Sequence, residues 1–269
     1  MTRALVVGGA GFIGIAACKE LMRRGVETVA AGRTPRPYGV FTSFHAFDAR
    51  DSDQLHAALE AVRPDVVLDL AGIEPAGSGR RWVSVPCGGR DPAGETLSTA
   101  IRPGAALGPD DPTLRIAAYI QRVEDGGPLL VPAESWERPL HLAWVKDAGY
   151  ACALACDPSR RLPEPAYDVA FAALSLRELI AALGRALRRE PRLVPVPFAE
   201  LPDGASPYAT DPAPASAFDL EPARRDLGFR PSTFEDALPE ILAWYLARRP
   251  SHAGYASRPA ELEIARAHA

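Results

Sequence analysis

The first 72 residues alternate between two patterns of apolar positions. Residues 5–7 are a continuous apolar run, typical of a strand buried on both faces of a parallel sheet, and residues 26–31 form a second strand. Between them, residues 12–24 repeat apolar side chains at helical spacing and stop at Gly25, a residue suited to the position after a helix. The pattern therefore predicts a strand, a helix and a second strand.

The same alternation continues. A short third strand ends near Asp48, and residues 52–62 form an amphipathic helix with Ser52 as its candidate cap. The segment "PDVVLDLAG" (64–72) is a fourth strand. Parallel strands joined by helices predict an α/β fold, a right-handed doubly wound sheet of the Rossmann type.

After residue 72 the alternation of strands and helices becomes less regular. Residues 72–101 hold a loop, the strand "WVSVP", another loop and the start of the strand "TLSTAIRPG". A complete strand–helix–strand unit takes roughly 30 residues, so this stretch has no room for two crossover helices. We interpret it as a sheet whose second half has lost helices.

From residue 111 helices dominate, and Ser175 with Glu178 predicts a capping box. We expect a smaller C-terminal α/β part that binds substrate. The expected division is a dinucleotide-binding core at 1–110, a mixed part at 111–249 that completes the sheet and binds substrate, and a tail with a short helix at 250–269. Helices are predicted at 112–127, 142–157, 175–189, 233–249 and 258–269, and strands at 129–132, 167–171 and 191–197.

Composition narrows the class of protein. There are 30 Lys and Arg against 34 Asp and Glu, a net charge of −4, which argues against nucleic-acid binding. No apolar run approaches membrane length, and the cysteines form no zinc-binding pairs, so we expect a cytoplasmic protein without a metal site. Cys152 and Cys156, four apart, are expected in the core rather than in redox chemistry.

A glycine turn carries the strongest chemical signal. Gly8, Gly11 and Gly14 lie between the first strand and the first helix in G-x-x-G-x-x-G spacing. The first allows a tight turn, the second lets backbone N–H groups approach a diphosphate, and the third lets the helix pack closely on the sheet. In this context the motif predicts dinucleotide binding.

The end of the second strand indicates which dinucleotide. A cofactor with a free ribose 2′-OH usually meets a carboxylate there, whereas Gly32 is followed by Arg33. A guanidinium pairs with a 2′-phosphate, so NADP is favoured, with NAD as the alternative. Asp48 and Ala49, after the third strand, are candidates for the adenine edge.

These segments resemble the extended short-chain dehydrogenase/reductase family, which contains the NAD-dependent epimerase/dehydratases. The matching pieces run in the family's order along nearly the whole chain, and they are similar to small actinobacterial reductase-like members. They include "VVGGAGFIG", "FDARD", "PDVVLDLAG", "IRPGAALGPDD" and "ARRDLGFRPSTFEDALPEILAWY". The resemblance implies cofactor contacts from Gly8, Gly11, Phe12, Ile13, Gly14, Asp48, Ala49, Ala71 and Gly72.

The chain departs from that family at the active site. The family uses a Ser or Thr with a Tyr-x-x-x-Lys helix, in which the tyrosine transfers a proton. The only lysines are Lys19 and Lys146, and Ile15 and Leu142 precede them by four residues. If "CGGRDPAGE" is aligned with the family's motif, Cys87 occupies the position of the tyrosine and Asp91 that of the lysine.

The catalytic residue is therefore unknown from the sequence. Cys87, Tyr150 and His141 are candidate proton donors, although a buried apolar role is favoured for Cys87 and an ordinary interface role for His141. Asp147 matches a family aspartate that looks structural. Arg102 and Arg138 are candidates for holding an anionic substrate group or, equally, for salt bridges.

Three functions stay open on this basis. The first is an NADP(H)-binding reductase or epimerase-like enzyme that acts on a small polar or sugar-like substrate by a non-standard mechanism. The second is a redox-inactive cofactor-binding pseudoenzyme or partner subunit, and the third is a redox-neutral reaction with tightly held cofactor.

The loss of helices would also expose apolar residues at 66–70 and 83–85. We therefore expect a second subunit, a partner or the loop at 72–81 to cover them.

Overall fold

The structure is a computed structural model that describes residues 1–35, 40–73, 81–85, 98–171, 174–208 and 218–268. The chain forms two compact units. Unit 1 comprises Met1–Ala106, Ala143–Ala170 and Phe218–Pro231, and unit 2 comprises Leu107–Leu142, Phe171–Ala217 and Ser232–Ala269. The division is thus interleaved, whereas the sequence analysis divided the chain into consecutive segments at 1–110, 111–249 and 250–269.

The elements follow one another closely along the chain. In order they are β1 (Arg3–Val7), α1 (Phe12–Arg23), β2 (Glu27–Gly32), β3 (Ser43–Ala46), α2 (Ser52–Val62), β4 (Val66–Asp69), β5 (Arg81–Ser84), β6 (Ser98–Pro103), β7 (Ala105–Leu107), α3 (Arg115–Asp125), β8 (Leu129–Pro132), β9 (Pro139–Leu140), β10 (Leu142–Trp144), α4 (Val145–Ala155), β11 (Ala166–Val169), β12 (Leu174–Ser175), α5 (Leu176–Leu187), β13 (Leu193–Val196), α6 (Phe234–Arg248) and α7 (Arg258–Ala267). Short helical turns occur at Phe198–Glu200, Ala223–Leu227 and Ala253–Ser257.

Unit 1 is built on a seven-stranded sheet. Its strand order is β11-β6-β5-β4-β1-β2-β3, and each neighbouring pair is parallel. The chain leaves β1 toward β2 and β3 on one side, then crosses back to β4 on the other. The predicted doubly wound α/β fold is confirmed, and its strand order reverses between β1 and β4.

Both faces of this sheet are covered. On one face Val6, Leu21 and Leu68 belong to a core that includes α1 and α4, and on the other Leu5 and Leu59 belong to a core that includes α2. The strand residues that we expected to be bare are buried within the chain itself. Those with no exposed surface include Val66, Val67, Leu68 and Val83. A covering subunit therefore stays a prediction that this burial does not require.

Helices α1 and α4 meet backbone to backbone at one point. A Cβ built on Gly149 of α4 would lie 2.6 Å from the backbone carbon of Ala16 and 2.6 Å from the nitrogen of Ala17. Cys152 and Cys156 are buried in this core, as expected. Burial raises the pKa of the Cys152 thiol to about 12, so it is an unreactive core residue at neutral pH.

Unit 2 has a charged group of residues at its centre. Arg122 of α3 is fully buried, and its Nε donates to Oε2 of Glu261 on α7 at 2.9 Å. Arg258 bridges the same carboxylate and Asp125, with N–O distances of 3.0 and 2.7 Å. Because every charge is paired, the C-terminal helix is held to α3 by bonds that would be costly to leave half-made.

Two details of the predicted helices change and one is confirmed. Asp51, not Ser52, caps α2, since its carboxylate accepts from the backbone N–H of Asp53 and Gln54. The helix predicted from residue 142 begins at Val145, because Leu142–Trp144 is strand β10. The capping box of Ser175 and Glu178 is present at α5. No helix in the described part of the chain is long and apolar enough to cross a membrane.

Gly149→Ala tests the close contact of α1 and α4. We expect the free energy of unfolding to fall by about 1–3 kcal/mol, since overpacking against rigid backbone outweighs the gain of about 1 kcal/mol in helix propensity. Urea unfolding measures this, and a variant as stable as the wild type would contradict the geometry.

Candidate functional site

The glycine turn between β1 and α1 is tightly closed on itself. Gly8 has φ +80°, a conformation that favours glycine, and its N–H donates to the carbonyl of Ala31 on β2 at 2.8 Å. Gly11 N–H donates to the Gly8 carbonyl at 2.8 Å. A Cβ on Gly14 would overlap that carbonyl oxygen and lie 2.8 Å from the Cα of Gly9. The spacing read from the sequence is thus a steric requirement of the turn.

This turn opens the amino end of α1 toward the sheet edge. Gly11 is the N-cap, no side chain caps the helix, and its first turn contains no acidic residue. Phe12 and Ile13 are its first two residues, half-buried at this end. The first N–H groups of a helix lack intrahelical partners and carry partial positive charge, so this end is suited to an anion.

The turn lies at the point where the strand order reverses. Val7 ends β1 and is paired with Asp69, which ends β4. In open α/β sheets, ligands bind in the crevice beyond the carboxyl ends of the strands at such a point. We call the glycine turn Gly8–Gly14 the first lip of this crevice and residues 70–73 the second lip. Ala71 and Gly72, expected to contact a cofactor, are exposed on the second lip.

The two lips touch. A Cβ on Gly8 would lie 3.2 Å from the Cβ of Leu70, and the Leu70 N–H donates to the Val7 carbonyl at 3.0 Å. The position of the second lip is therefore set directly against the first.

Asp69 was missed by the sequence analysis. Its side chain is 1% exposed; Oδ1 accepts from the Ala71 N–H and Oδ2 from the Ile73 N–H, both at 2.8 Å. Burial raises the pKa of this carboxyl from 3.8 to about 6, although hydrogen bonds from the N–H groups of Ala71, Ile73 and Gly72 act in the opposite direction. A carboxylate at the end of the apolar run "VVLD" was the available signal.

Ser84 is a second missed residue. It ends β5 and is paired with Asp69 in the sheet register. Its buried hydroxyl finds no hydrogen-bond partner among the residues that the structure describes. A polar group of this kind beside the crevice is unusual, because buried hydroxyls are nearly always bonded.

The other predicted cofactor residues follow β2 and β3 on the same edge, because the strands are parallel. Arg33 is exposed one residue beyond β2. Asp48 is half-buried two residues beyond β3, and its Oδ1 accepts from the Arg50 N–H at 3.1 Å. Ala49 packs against the core on the α2 face. The predicted cofactor residues thus all belong to turns, or to the first turn of α1, at one edge of the sheet of unit 1.

Two of the candidates for the chemistry have other contacts within unit 1. Arg102 forms a salt bridge with Asp168, with Nε 2.9 Å from Oδ1, which is the second of its two predicted roles. Tyr150 is half-buried against the core, with the Arg24 guanidinium 5.2 Å from its ring centre. Cys87 and Asp91 lie outside the described residues.

The remaining candidates differ in how far they are buried. Asp147 is buried in α4, His141 is half-buried before β10, and Arg138 is exposed before β9. Within the described ranges, no group of three or more His, Cys, Asp or Glu side chains could hold a metal ion.

Comparison with known proteins identifies the amino-terminal part. Residues 4–83 match the model of the NAD dependent epimerase/dehydratase family. The chain is thus similar to this family over these residues. The matched residues include the glycine turn and Asp69, and the resemblance seen in the sequence is confirmed. No curated protein is similar enough in sequence to match the chain.

Solved structures share the fold along most of the chain. The Bordetella bronchiseptica enzyme WbmG, in complex with NAD, is 16% identical with a TM-score of 0.67, covering 91% of this chain and 94% of that one. The Thermus thermophilus UDP-glucose 4-epimerase, in complex with NAD, is 20% identical with a TM-score of 0.63, covering 92% and 100%. The Thermotoga maritima UDP-glucose 4-epimerase, with UDP-glucose, is 16% identical with a TM-score of 0.67, covering 93% and 100%. At these identities the likeness concerns the fold.

The raised pKa of Asp69 makes a prediction about stability. The folded chain holds this proton up to about pH 6, whereas the unfolded chain loses it near 3.8. Ionisation therefore costs the folded state stability as the pH rises through 6. Two pKa units correspond to about 3 kcal/mol.

Asp69→Asn carries no such proton. We expect the difference in unfolding free energy between variant and wild type to move by about 2 kcal/mol in favour of the variant between pH 4 and pH 8, because the unfolded carboxyl is already partly ionised at pH 4. Urea unfolding at both pH values measures the change. A difference that stays constant with pH, or moves the other way, would contradict the assignment.

Proposed function

We propose that this protein binds a nicotinamide dinucleotide in the crevice between β1 and β4. The main support for this proposal is the geometry of the first lip. Gly8, Gly11 and Gly14 have no Cβ, so a diphosphate could approach the amino end of α1. The family match at residues 4–83 and the NAD named with WbmG and the Thermus epimerase support the proposal.

Each end of the crevice has residues for one part of such a cofactor. Arg33, beyond β2, would hold a ribose 2′-phosphate, while Asp48 and Ala49 would lie against the adenine edge. Ala71 and Gly72 on the second lip would face the nicotinamide side. Since β2 is followed by a guanidinium and not by a carboxylate, we propose NADP(H) over NAD(H).

We further propose an enzyme of the oxidoreductase or epimerase type that acts on a small polar or sugar-like molecule. The UDP-glucose named with the Thermotoga epimerase supports this substrate class. The bound cofactor would supply hydride transfer, and the chain would bind its diphosphate, orient it and exclude water. Without a Tyr-x-x-x-Lys sequence, the proton must be handled by another group or by the substrate itself.

The missing Tyr-x-x-x-Lys sequence also favours a second candidate, a cofactor-binding protein without redox turnover. Calorimetry with NADPH and NADH, followed by absorbance at the reduced-nicotinamide band with a panel of carbonyl and nucleotide-sugar substrates, separates the two. Binding with consumption or epimerisation supports the enzyme, and binding without either supports the second candidate. If neither dinucleotide binds, both are wrong.

Gly14→Ala tests the first lip. The added Cβ would displace the Gly8 carbonyl, and we expect affinity for both dinucleotides to fall at least tenfold, or about 1.4 kcal/mol, by calorimetry. Gly25→Ala, at the other end of α1, is the matched control: a Cβ there meets no atom within 4 Å, so we expect some loss of stability and unchanged affinity. Equal binding by the Gly14 variant would rule out this lip as the diphosphate site.

Arg33→Ala tests the choice of cofactor. Loss of a hydrogen-bonded charge pair costs about 1.5–3 kcal/mol, so we expect NADPH to bind roughly tenfold to a hundredfold more weakly while NADH affinity is unchanged. Arg63→Ala, an exposed arginine before β4 at the opposite edge of the sheet, serves as control. An equal loss for both dinucleotides would show that Arg33 does not select the phosphorylated ribose.

A further inference from the structure

The Asp69 carboxylate has an unusual set of partners. It is almost fully buried, yet both oxygens accept hydrogen bonds from backbone N–H groups two and four residues further along, on Ala71 and Ile73. The Gly72 N–H also acts on it. A buried carboxylate normally has a cation beside it, because removing the charge from water is expensive. Here backbone dipoles take that role.

These bonds fix the backbone of the second lip. Asp69 is held in the sheet on both sides, through its pairing with Val7 and through its carbonyl, which accepts from the Val85 N–H at 2.9 Å. The side chain thus connects a rigid strand end to the exposed residues Ala71 and Gly72. Leu70, the first residue of this lip, lies next to Gly8 of the first lip.

We propose that Asp69 is a positioning residue for the dinucleotide crevice: its ionised carboxylate holds the second lip in the shape that receives the cofactor, and protonation releases it. The proposal rests on the proposed function for its ligand, but not for its effect on the backbone. Protonation places a hydrogen on one of the two accepting oxygens and removes the charge from both, so at least one of the hydrogen bonds is weakened. The crevice would then bind cofactor more weakly at acid pH.

No ionised side chain among the described residues explains the behaviour of Asp69. Its sheet neighbours Val7 and Ser84 are uncharged, and its pKa is shifted by burial and the three N–H groups only. Helix α2 covers the face of the sheet on which the Asp69 side chain lies, and it packs against that face through apolar side chains. Its ionisable residues Asp53, His56 and Glu60 are exposed. Titration of Asp69 is therefore the change at this lip that the structure supports near pH 6.

A charge effect would have the opposite sign. If Asp69 acted on the anionic cofactor through its charge alone, protonation would strengthen binding. If it served only the stability of the fold, affinity would not follow its protonation. The direction of the pH dependence therefore separates a positioning role from both alternatives.

The first experiment measures the lip without any ligand. Hydrogen exchange of the Ala71 and Ile73 amides is followed at pH 7.5 in the wild type and in Asp69→Asn. We expect at least tenfold faster exchange in the variant, because an amide group cannot accept at both positions. Unchanged protection would overturn the proposal, whether or not a dinucleotide binds.

The second experiment measures affinity for NAD and NADP by calorimetry between pH 5 and pH 8. Losing one hydrogen bond to a charged group is worth roughly tenfold to a hundredfold. We expect wild-type affinity to fall by that factor below pH 6, and the variant to be weak throughout, so that the ratio of the two approaches one at pH 5. Using the ratio cancels titration of the 2′-phosphate of NADP.

Asp157→Asn is the matched control, because Asp157 also accepts a backbone N–H two residues on, from Ser159, but lies after α4 and away from the crevice. It should keep the wild-type profile. A ratio independent of pH, or affinity rising toward acid, overturns the positioning role. If the wild type binds neither dinucleotide, the proposed function fails, and the hydrogen-exchange result still decides whether Asp69 holds the lip.

Discussion

The approach of α1 to the end of β1 is the contact on which the rest of unit 1 depends. At Gly14 the helix comes so close to the Gly8 carbonyl that a single extra carbon would overlap it. This closeness directs the uncapped amino end of the helix to the edge of the sheet. Because the strands are parallel, the ends of β2, β3 and β4 lie on that same edge, and one steric constraint gives the crevice both its position and its electrostatic character.

The two lips of the crevice are built on different principles. The first is shaped by the absence of side chains, and its conformation is available to glycine at little cost. The second is shaped by a buried carboxylate, which stabilises the turn but is itself destabilised by burial at neutral pH. Such an expense of stability at a site is typical of residues kept for function rather than for folding.

The similarity to known proteins in sequence covers a shorter part of the chain than the similarity in fold. The family model ends at residue 83, close to where the alternation of strands and helices thins. The likeness to solved structures nevertheless extends over more than nine-tenths of the chain. Segments after residue 142 return to unit 1, where α4 packs on α1 and β11 joins the sheet beside β6. The sheet is thus completed from the second half of the chain.

The sequence by itself determined the helices, the longer strands and the glycine turn, because periodic burial and the need for residues without a Cβ are local properties of the chain. The short strands β7, β9, β10 and β12 were not predicted. The sequence also indicated Arg33 as a candidate cofactor residue, since the end of a strand can be recognised without knowing which strands lie beside it. Only the tertiary structure decided that Asp69 and Ser84 stand side by side, that Arg102 is paired with Asp168, and that the units are interleaved. Those facts depend on strand order and on burial by distant segments, and no local pattern of residues encodes them.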